Sequence, residues 1–203
     1  MWTNQADRLV LASASPRRLQ LLEQIKVPVE QLVLPVHGED EPRIDDESVL
    51  TYVSRTAHDK LNRAQAHWTT HRTGDPMPPI LAADTTVAKG QVILGKPSDA
   101  AEARYILSEL AGQAHEVYTA VVLSHHGKTY ETVVQAVVEF DAVLNDVIAD
   151  YIETGEPFGK AGAYGIQGIA AAYIKSVSGS YSAVVGLPLY ETAQLLRQAG
   201  LYQ

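Results

Sequence analysis

The stretch LVLASASPRRLQLLEQI, residues 9–25, predicts a strand, a short loop and a helix in succession. Residues 9–11 form an apolar run that is typical of a buried strand. Ser15 is a favourable N-cap, and Pro16 suits the first helical position because an N–H group is not needed there. Apolar side chains then recur at three-residue steps, which places them on one face of the helix.

Two arginines fall in the first turn of this predicted helix. Arg17 and Arg18 stand at the end that carries about half a positive charge from the peptide dipoles, where cations are mildly unfavourable. An anion would reverse the sign of this effect, because helix N–H groups and guanidinium forks both bind phosphate oxygens. The pattern predicts a phosphate cradle, and two solvated surface arginines are the alternative.

The rest of the chain alternates strand and helix signals, which predicts an α/β fold. Two long strands joined by a tight turn predict an antiparallel hairpin, so the sheet is expected to be mixed. We predict strands at 29–36, 80–88, 92–95, 115–124, 130–140, 169–177 and 183–186, and further helices at 48–68, 99–110, 145–154 and 189–199.

Composition narrows the class of protein. The 203 residues suit one large domain, or one domain with a lobe. The absence of cysteine excludes disulfides and thiolate metal sites, and the net charge of −8 disfavours nucleic-acid binding. Neither a signal peptide nor a membrane-spanning apolar run is visible, so we expect a cytoplasmic protein without a membrane partner.

A carboxylate interrupts the apolar run of the strand predicted at 80–88. Asp84 follows ILAA and precedes TTVA, and so apolar a run predicts a strand covered on both faces. A carboxylate there is costly unless it is paired, hydrogen-bonded or bound to a metal. Such a group is suited to activating water or holding a divalent cation. The alternative is that Asp84 begins a turn and is exposed.

Two lysines also stand at unusual positions. Lys60 shares a predicted helix face with apolar residues, where it either enters a site or extends to solvent. Lys96 lies between a predicted strand and a predicted helix N-terminus, which is where α/β proteins usually bind ligands. Lys96 is therefore interpreted either as a phosphate contact or as a solvated loop lysine.

The segment GEPFGKAGAYGIQG, residues 155–168, is rich in glycine. Glycine permits left-handed backbone and close approach of the backbone to a ligand. Gln167 both donates and accepts hydrogen bonds, as a side chain that reads a base must, and a loop-stabilising amide is the alternative.

Five sequence blocks occur in the order found in one known family. They are SASPRR at 13–18, ADT at 83–85, LGKP at 94–97, KAGAYGIQG at 160–168 and GSYSAVVGLPL at 179–189. Together they make the chain resemble the Maf family, the septum formation inhibitor-like proteins, over nearly its whole length. The resemblance implies a single Maf-like domain over residues 1–203 and a nucleoside triphosphate pyrophosphatase that uses Mg²⁺ or Mn²⁺.

The resemblance also implies a fold and an assembly. The expected fold is similar to that of the inosine triphosphate pyrophosphatases, with a mixed twisted sheet flanked by helices and two lobes with a cleft between them. The expected substrate is a nucleoside triphosphate, which water attacks at the α-phosphorus to release pyrophosphate. A homodimer is the expected assembly.

Roles follow from the resemblance position by position. Asp84 resembles the catalytic proton acceptor and, with Glu41, a metal ligand, although Glu39 or Asp40 are alternatives to Glu41 in the acidic loop. The positions that resemble triphosphate-binding residues are Ser13, Arg17, Arg18, Lys60 and Lys96. Arg18, Thr85 and Gln167 resemble positions linked to substrate choice.

The segment AGAYGIQG, residues 161–168, is similar to the subgroup that acts on dTTP and UTP. Hydrolysis of modified pyrimidine triphosphates is an alternative within the same chemistry. A nucleotide-binding regulator of cell division with little catalysis is the alternative from another class, although an intact Asp84 argues against it because binding alone needs no such carboxylate.

Overall fold

The computed structural model describes residues 1–3, 8–35, 42–72, 74–142 and 145–203, without the side chains of residues 145 and 146. The strands in these residues are β1 (Leu9–Leu11), β2 (Val29–Gln31), β3 (Ile80–Lys89), β4 (Val92–Leu94), β5 (Ala114–His125), β6 (Lys128–Phe140) and β7 (Ile174–Ser178). The helices are α1 (Pro16–Gln24), α2 (Val49–His71), α3 (Ala100–Leu110), α4 (Asn145–Glu153), α5 (Tyr181–Val185) and α6 (Leu189–Gln198).

The described strands form a seven-stranded mixed sheet in the order β2-β1-β3-β5-β6-β7, with β4 paired to β3 outside this path. Strand β1 runs parallel to both β2 and β3, whereas β4 is antiparallel to β3 and β7 is antiparallel to β6. The prediction of a mixed sheet flanked by helices is therefore confirmed. In the described part of the chain, no helix combines the length and apolar character needed to cross a membrane.

The core of the sheet lies at β1 and β3. Every residue of β1 is buried, and residues 80–84 of β3 are buried on both strand faces. Because successive strand residues point to opposite faces, continuous burial means that both faces of β3 are covered. By contrast, β6 alternates between exposed and half-buried residues over its first half, so one of its faces meets solvent there.

The predicted hairpin is formed by β5 and β6. Its turn places His126 at φ 49° and Gly127 at φ 74°. Two successive positive φ angles are the geometry of the tight hairpin turn whose twist matches that of the flanking strands. His125 is the last residue of β5 and is buried rather than part of the exposed turn.

Three predicted strands differ from the structure. Strand β2 covers only Val29–Gln31 of the predicted 29–36, because its partner β1 ends at Leu11, opposite Gln31. The predicted strand at 169–177 begins instead with a 3₁₀ helix at Ile169–Tyr173, and β7 follows it. The predicted strand at 183–186 is wrong, since these residues belong largely to α5.

The chain divides into two compact units. Unit 1 comprises Met1–Asp84, Thr119–Val133 and Gly186–Gln203, and includes the β1–α1 segment and α2. Unit 2 comprises Thr85–Tyr118 and Val134–Val185, and includes α3, α4 and the glycine-rich segment.

Candidate active site

The start of α1 lies where the sequence predicts it. Ser15 occupies the N-cap position with extended backbone and Pro16 is the first helical residue, but the Ser15 side chain makes no capping hydrogen bond. Instead, the Ser15 N–H donates to the Ser13 hydroxyl at 3.2 Å. First-turn N–H groups have no acceptor within a helix, so this positive end of the dipole is suited to an anion.

Arg18 is held in place by unit 1 itself. Its Nε donates to the backbone carbonyl of Gly186 at 2.8 Å, and one terminal nitrogen donates to Ser13 Oγ at 3.2 Å. The residue is only 9% exposed, so a solvated surface arginine is the wrong interpretation for this position. These two contacts fix the orientation of the guanidinium, and a guanidinium of fixed orientation favours recognition of a planar or tetrahedral anion.

Arg17 is half-buried at the same helix end. Burial lowers the pKa of its guanidinium from the ordinary value of 12.5. Arginine remains charged in proteins, so the cation stays although its hydration is reduced. A less hydrated cation has a stronger interaction with an anion that reaches it.

Asp84 lies in the interior of β3 and forms an ion pair with Lys60. The carboxylate residue is 2% exposed, and the distance between Lys60 Nζ and Asp84 Oδ1 is 2.6 Å. The alternative interpretation, in which Asp84 begins an exposed turn, is therefore wrong, and the predicted strand carboxylate is paired with a cation. The Lys60 side chain is 13% exposed and extends to Asp84 rather than to solvent. Removing one partner of such a pair typically costs about 3–5 kcal/mol, because the other charge remains buried.

Asp84 and the start of α1 both follow the parallel pairing of β1 with β3. In this pairing, Leu11 lies opposite Leu81, and the Ala12 N–H donates to the Leu81 carbonyl at 2.9 Å. Ser13 comes two residues after Leu11, where the chain turns towards α1, and Asp84 comes three residues after Leu81. In unit 1, the segment that leads to the helix end and the Asp84 carboxylate therefore both begin beyond the carboxyl end of the paired residues of β1. Ligands of α/β proteins usually bind at such an edge.

Lys96 lies in unit 2, beside the glycine-rich segment. The residue is exposed and follows Gly95, whose carbonyl accepts the Gly162 N–H at 3.1 Å. Gly162 has φ 71°, and a Cβ there would lie 2.9 Å from a methyl group of Val87. Glycine is therefore required at 162 both by the left-handed backbone and by the lack of space.

Thr85 and Gln167 also belong to unit 2. Thr85 follows Asp84 on β3, so its side chain points to the opposite face of the strand. The residue is half-buried. Gln167 is exposed. Their predicted roles in substrate choice stay predictions.

The predicted metal ligands are only partly described. Glu41 and its alternatives Glu39 and Asp40 lie outside the described residues. No cluster of three or more metal-binding side chains occurs among the residues that the structure describes. Mg²⁺ is usually held by one or two carboxylates together with substrate phosphates, so a buried carboxylate such as Asp84 fits its donor set.

The sequence analysis did not identify two contacts that the structure shows. The Gly186 carbonyl that accepts the Arg18 hydrogen bond lies 168 positions away in the sequence. The sequence signal for Gly186 was its place in the GSYSAVVGLPL block at 179–189. In unit 2, the ring of His115 is fully buried, and its Nε2 lies 2.9 Å from the hydroxyl of Tyr164 in the glycine-rich segment. Burial lowers the pKa of His115 to about 4, so the ring is neutral at neutral pH.

The chain is similar to known proteins over almost its whole length. A family model described as Maf-like protein matches residues 8–199. A dTTP/UTP pyrophosphatase of Bordetella pertussis is 50% identical over 195 residues, covering 96% of this chain and 93% of the relative. A dTTP/UTP pyrophosphatase of Polaromonas sp. is 46% identical over 200 residues, covering 97% and 98%.

The solved structure of the Ham1 protein of Staphylococcus aureus is a more distant match. It is 10% identical with a TM-score of 0.42, covering 66% of this chain and 72% of that chain. Likeness at this level supports no conclusion about the site.

Proposed function

This chain belongs to the family of Maf-like proteins, and from that membership we propose that it is a nucleoside triphosphate pyrophosphatase acting on dTTP and UTP. The names of the relatives from Bordetella and Polaromonas support the substrate. The products would be the nucleoside monophosphate and pyrophosphate. Modified pyrimidine triphosphates fit the same chemistry and form part of the proposal.

The observation that carries the proposal is the buried Lys60–Asp84 pair. In the proposed reaction, Asp84 accepts a proton from a water molecule as its oxygen bonds to the α-phosphorus. The bond from the α-phosphorus to the bridging oxygen breaks, and pyrophosphate leaves with the electron pair. Lys60 holds the Asp84 carboxylate in place through the 2.6 Å contact between Lys60 Nζ and Asp84 Oδ1.

The N-terminus of α1 would bind the triphosphate. We assign Ser13, Arg17 and Arg18 to this cradle, since two guanidinium groups and the helix dipole offset the charge that accumulates on phosphate oxygens in the transition state. Lys96 is assigned to a further phosphate contact, and Thr85 and Gln167 to base preference, from the family resemblance.

A divalent cation completes the proposed site. Asp84, with Glu41 from the acidic segment, would hold Mg²⁺ or Mn²⁺. When bound, the cation supplies charge neutralisation on the phosphates. We further propose that residues 1–203 act as one Maf-like domain, as a homodimer in the cytoplasm and without a nucleic-acid partner. The net charge of −8 supports the last point, because nucleic-acid binders carry basic surfaces.

A nucleotide panel tests the proposal. Pyrophosphate release is measured with dTTP, UTP, CTP, GTP, 7-methyl-GTP and ITP, each with Mg²⁺ and with Mn²⁺. We expect the fastest release from dTTP and UTP, and none after a chelator removes the metal. Preferential release from a purine nucleotide would refute the substrate assignment. Nucleotide binding with no release across the panel would instead favour the regulator of cell division.

A further inference from the structure

The glycine-rich segment ends in a tight turn that displays Gln167. The Gly168 N–H donates to the Gly165 carbonyl at 3.0 Å, which closes a four-residue turn. Ile166, at the second position of the turn, is 8% exposed and anchors it in unit 2. Gln167, at the third position, is exposed. The direction of the Gln167 side chain therefore depends on what holds the two ends of this turn.

The carboxylate of Glu156 holds the end that follows the turn. Its oxygens accept the N–H groups of Ile169 at 2.8 Å and of Ala170 at 3.3 Å, and also the Tyr151 hydroxyl at 2.8 Å. The carboxylate lies so close to Gly168 that a Cβ there would collide with it. Glycine at 168 is therefore a consequence of the position of Glu156.

The Glu156 carboxylate also lies close to Gly165, the first residue of the turn. An added Cβ at Gly165 would lie 3.6 Å from Glu156 Oε1 and 3.2 Å from Lys160 Cε. The Lys160 ammonium donates to the backbone carbonyl of residue 156, a contact that any side chain at this position would allow. The Glu156 carboxylate therefore lies near both ends of the turn and hydrogen-bonds the end that follows it.

The charge state of Glu156 agrees with this arrangement. Burial on its own raises the pKa of the carboxyl, but the N–H of Ile169, the Tyr151 hydroxyl and the N–H of Ala170 together hold it below its ordinary value of 4.5. Burial also raises the pKa of Tyr151, so the hydroxyl remains a donor. The network is therefore complete at neutral pH, with an ionised acceptor and neutral donors.

We propose that Glu156 is a positioning residue for nucleotide selectivity, which acts by fixing the turn that carries Gln167. The inference rests on the proposed function, in which Gln167 contributes to base preference. Glu156 would not touch the substrate. Its loss would let the Gln167 amide take several orientations, so that pyrimidine and purine triphosphates would be discriminated less well.

Hydrogen exchange tests the structural half without relying on activity. We expect the amides of residues 165–170 to exchange at least about tenfold faster in Glu156→Ala than in the wild type, because two N–H acceptors are lost. Glu156→Gln keeps one acceptor oxygen and should fall between the two. Glu153→Ala is the matched control, since Glu153 is exposed on α4. Unchanged exchange in Glu156→Ala overturns the proposal.

Selectivity tests the functional half. The ratio of kcat/KM for UTP to that for ITP should fall about tenfold in Glu156→Ala and in Gln167→Ala, and no further in the double variant, because coupled residues are not additive. An equal loss of kcat/KM on both nucleotides, with the ratio preserved, would reduce Glu156 to a structural role. If the wild type hydrolyses neither dTTP nor UTP, the proposed function fails. In that case, the ratio of the ITP dissociation constant to the UTP dissociation constant is compared between the wild type and Glu156→Ala. A fall in this ratio would support the positioning role of Glu156, and a preserved ratio would overturn it.

Discussion

Asp84 is buried and Glu156 is partly exposed, and the two carboxylates take their hydrogen-bond donors from different sources. Asp84 is held by the ammonium of Lys60, which projects from the long helix α2. Glu156 is held by backbone N–H groups and the neutral hydroxyl of Tyr151, around an irregular segment. The first arrangement places a charged pair on a helix and a strand, and the second uses one charge to hold an irregular backbone segment.

The two carboxylates are suited to controlling different properties of the protein. A charged pair fixed on a strand and a helix can serve chemistry, because both groups must keep one geometry and one charge state. A carboxylate that organises a turn controls shape instead. Changes in unit 1 are therefore expected to reduce turnover most, and changes in unit 2 to alter discrimination and stability.

The largest expected effect comes from Asp84→Asn. The amide keeps the size of the side chain and can still accept from Lys60, but it cannot take a proton from water. We expect kcat to fall about 100- to 10,000-fold, in the range of general-base catalysis, with dTTP still bound. Pyrophosphate release and calorimetric dTTP titration measure the two quantities. Asp75→Asn, at an exposed position, is the control. An unfolded Asp84→Asn protein would identify Asp84 as a structural residue.

Alanine substitutions of the two arginines of α1 are expected to lower activity to a similar degree but to differ in their effect on stability. Loss of either guanidinium should lower kcat/KM for dTTP about 100-fold, as removal of one transition-state donor does. Arg18→Ala also leaves the buried Gly186 carbonyl without its donor, which costs about 1–3 kcal/mol of unfolding free energy. Arg17→Ala should lower that free energy less than Arg18→Ala, because Arg17 is only half-buried.

Urea denaturation and steady-state kinetics measure these quantities side by side. Arg104→Ala, at an exposed position on α3, should change neither. Equal stabilities of the Arg17→Ala and Arg18→Ala proteins would contradict the anchoring role of Gly186, and near-normal turnover in both would contradict the cradle.

The smallest expected effect is the pH dependence caused by His115 in unit 2. Its pKa is lowered by burial to about 4 in the folded protein, against an ordinary value of 6.5. As pH falls below 6.5, the unfolded chain binds the proton first, so stability is complete above that pH and declines towards pH 4. Between pH 7 and pH 5 the loss amounts to about 2 kcal/mol.

Glutamine at this position removes the titration while keeping a donor for Tyr164. We therefore expect the unfolding free energy of His115→Gln to vary less between pH 7 and pH 5 than that of the wild type, as measured by urea denaturation. His71→Gln, at an exposed position on α2, should behave like the wild type. Identical pH dependence of wild type and His115→Gln would show that burial of His115 does not govern this range.

Part of the fold could be predicted because its signals are local. The Ser15–Pro16 pair and the apolar spacing after it predicted α1, and the apolar run around Asp84 predicted a strand buried on both faces. A helix was predicted from residue 99, and the Asp99 side chain caps α3 by accepting the Glu102 N–H at 2.8 Å. In each case the interacting groups lie within a few residues of one another.

The 3₁₀ helix at Ile169–Tyr173 and helix α5 could not be predicted in this way. Their apolar and β-branched residues favour strands, but the Glu156 carboxylate accepts the first N–H groups of the 3₁₀ helix from 13 positions away. For α5 a local signal existed, since the Ser180 hydroxyl accepts the Ala183 N–H at 3.2 Å. The run of small and β-branched residues outweighed that serine in the prediction.

The family, the mixed α/β class and the residue types of the candidate site could all be inferred from the amino-acid sequence. The hydrogen-bond partners became known only from the folded chain: Lys60 for Asp84, the Gly186 carbonyl for Arg18, and Glu156 for the turn at Gln167. The two kinds of feature differ in the range of the interactions that produce them. Helix caps and strand periodicity arise between neighbouring residues, whereas a buried charge takes whichever donor the packing of distant elements brings within hydrogen-bonding distance.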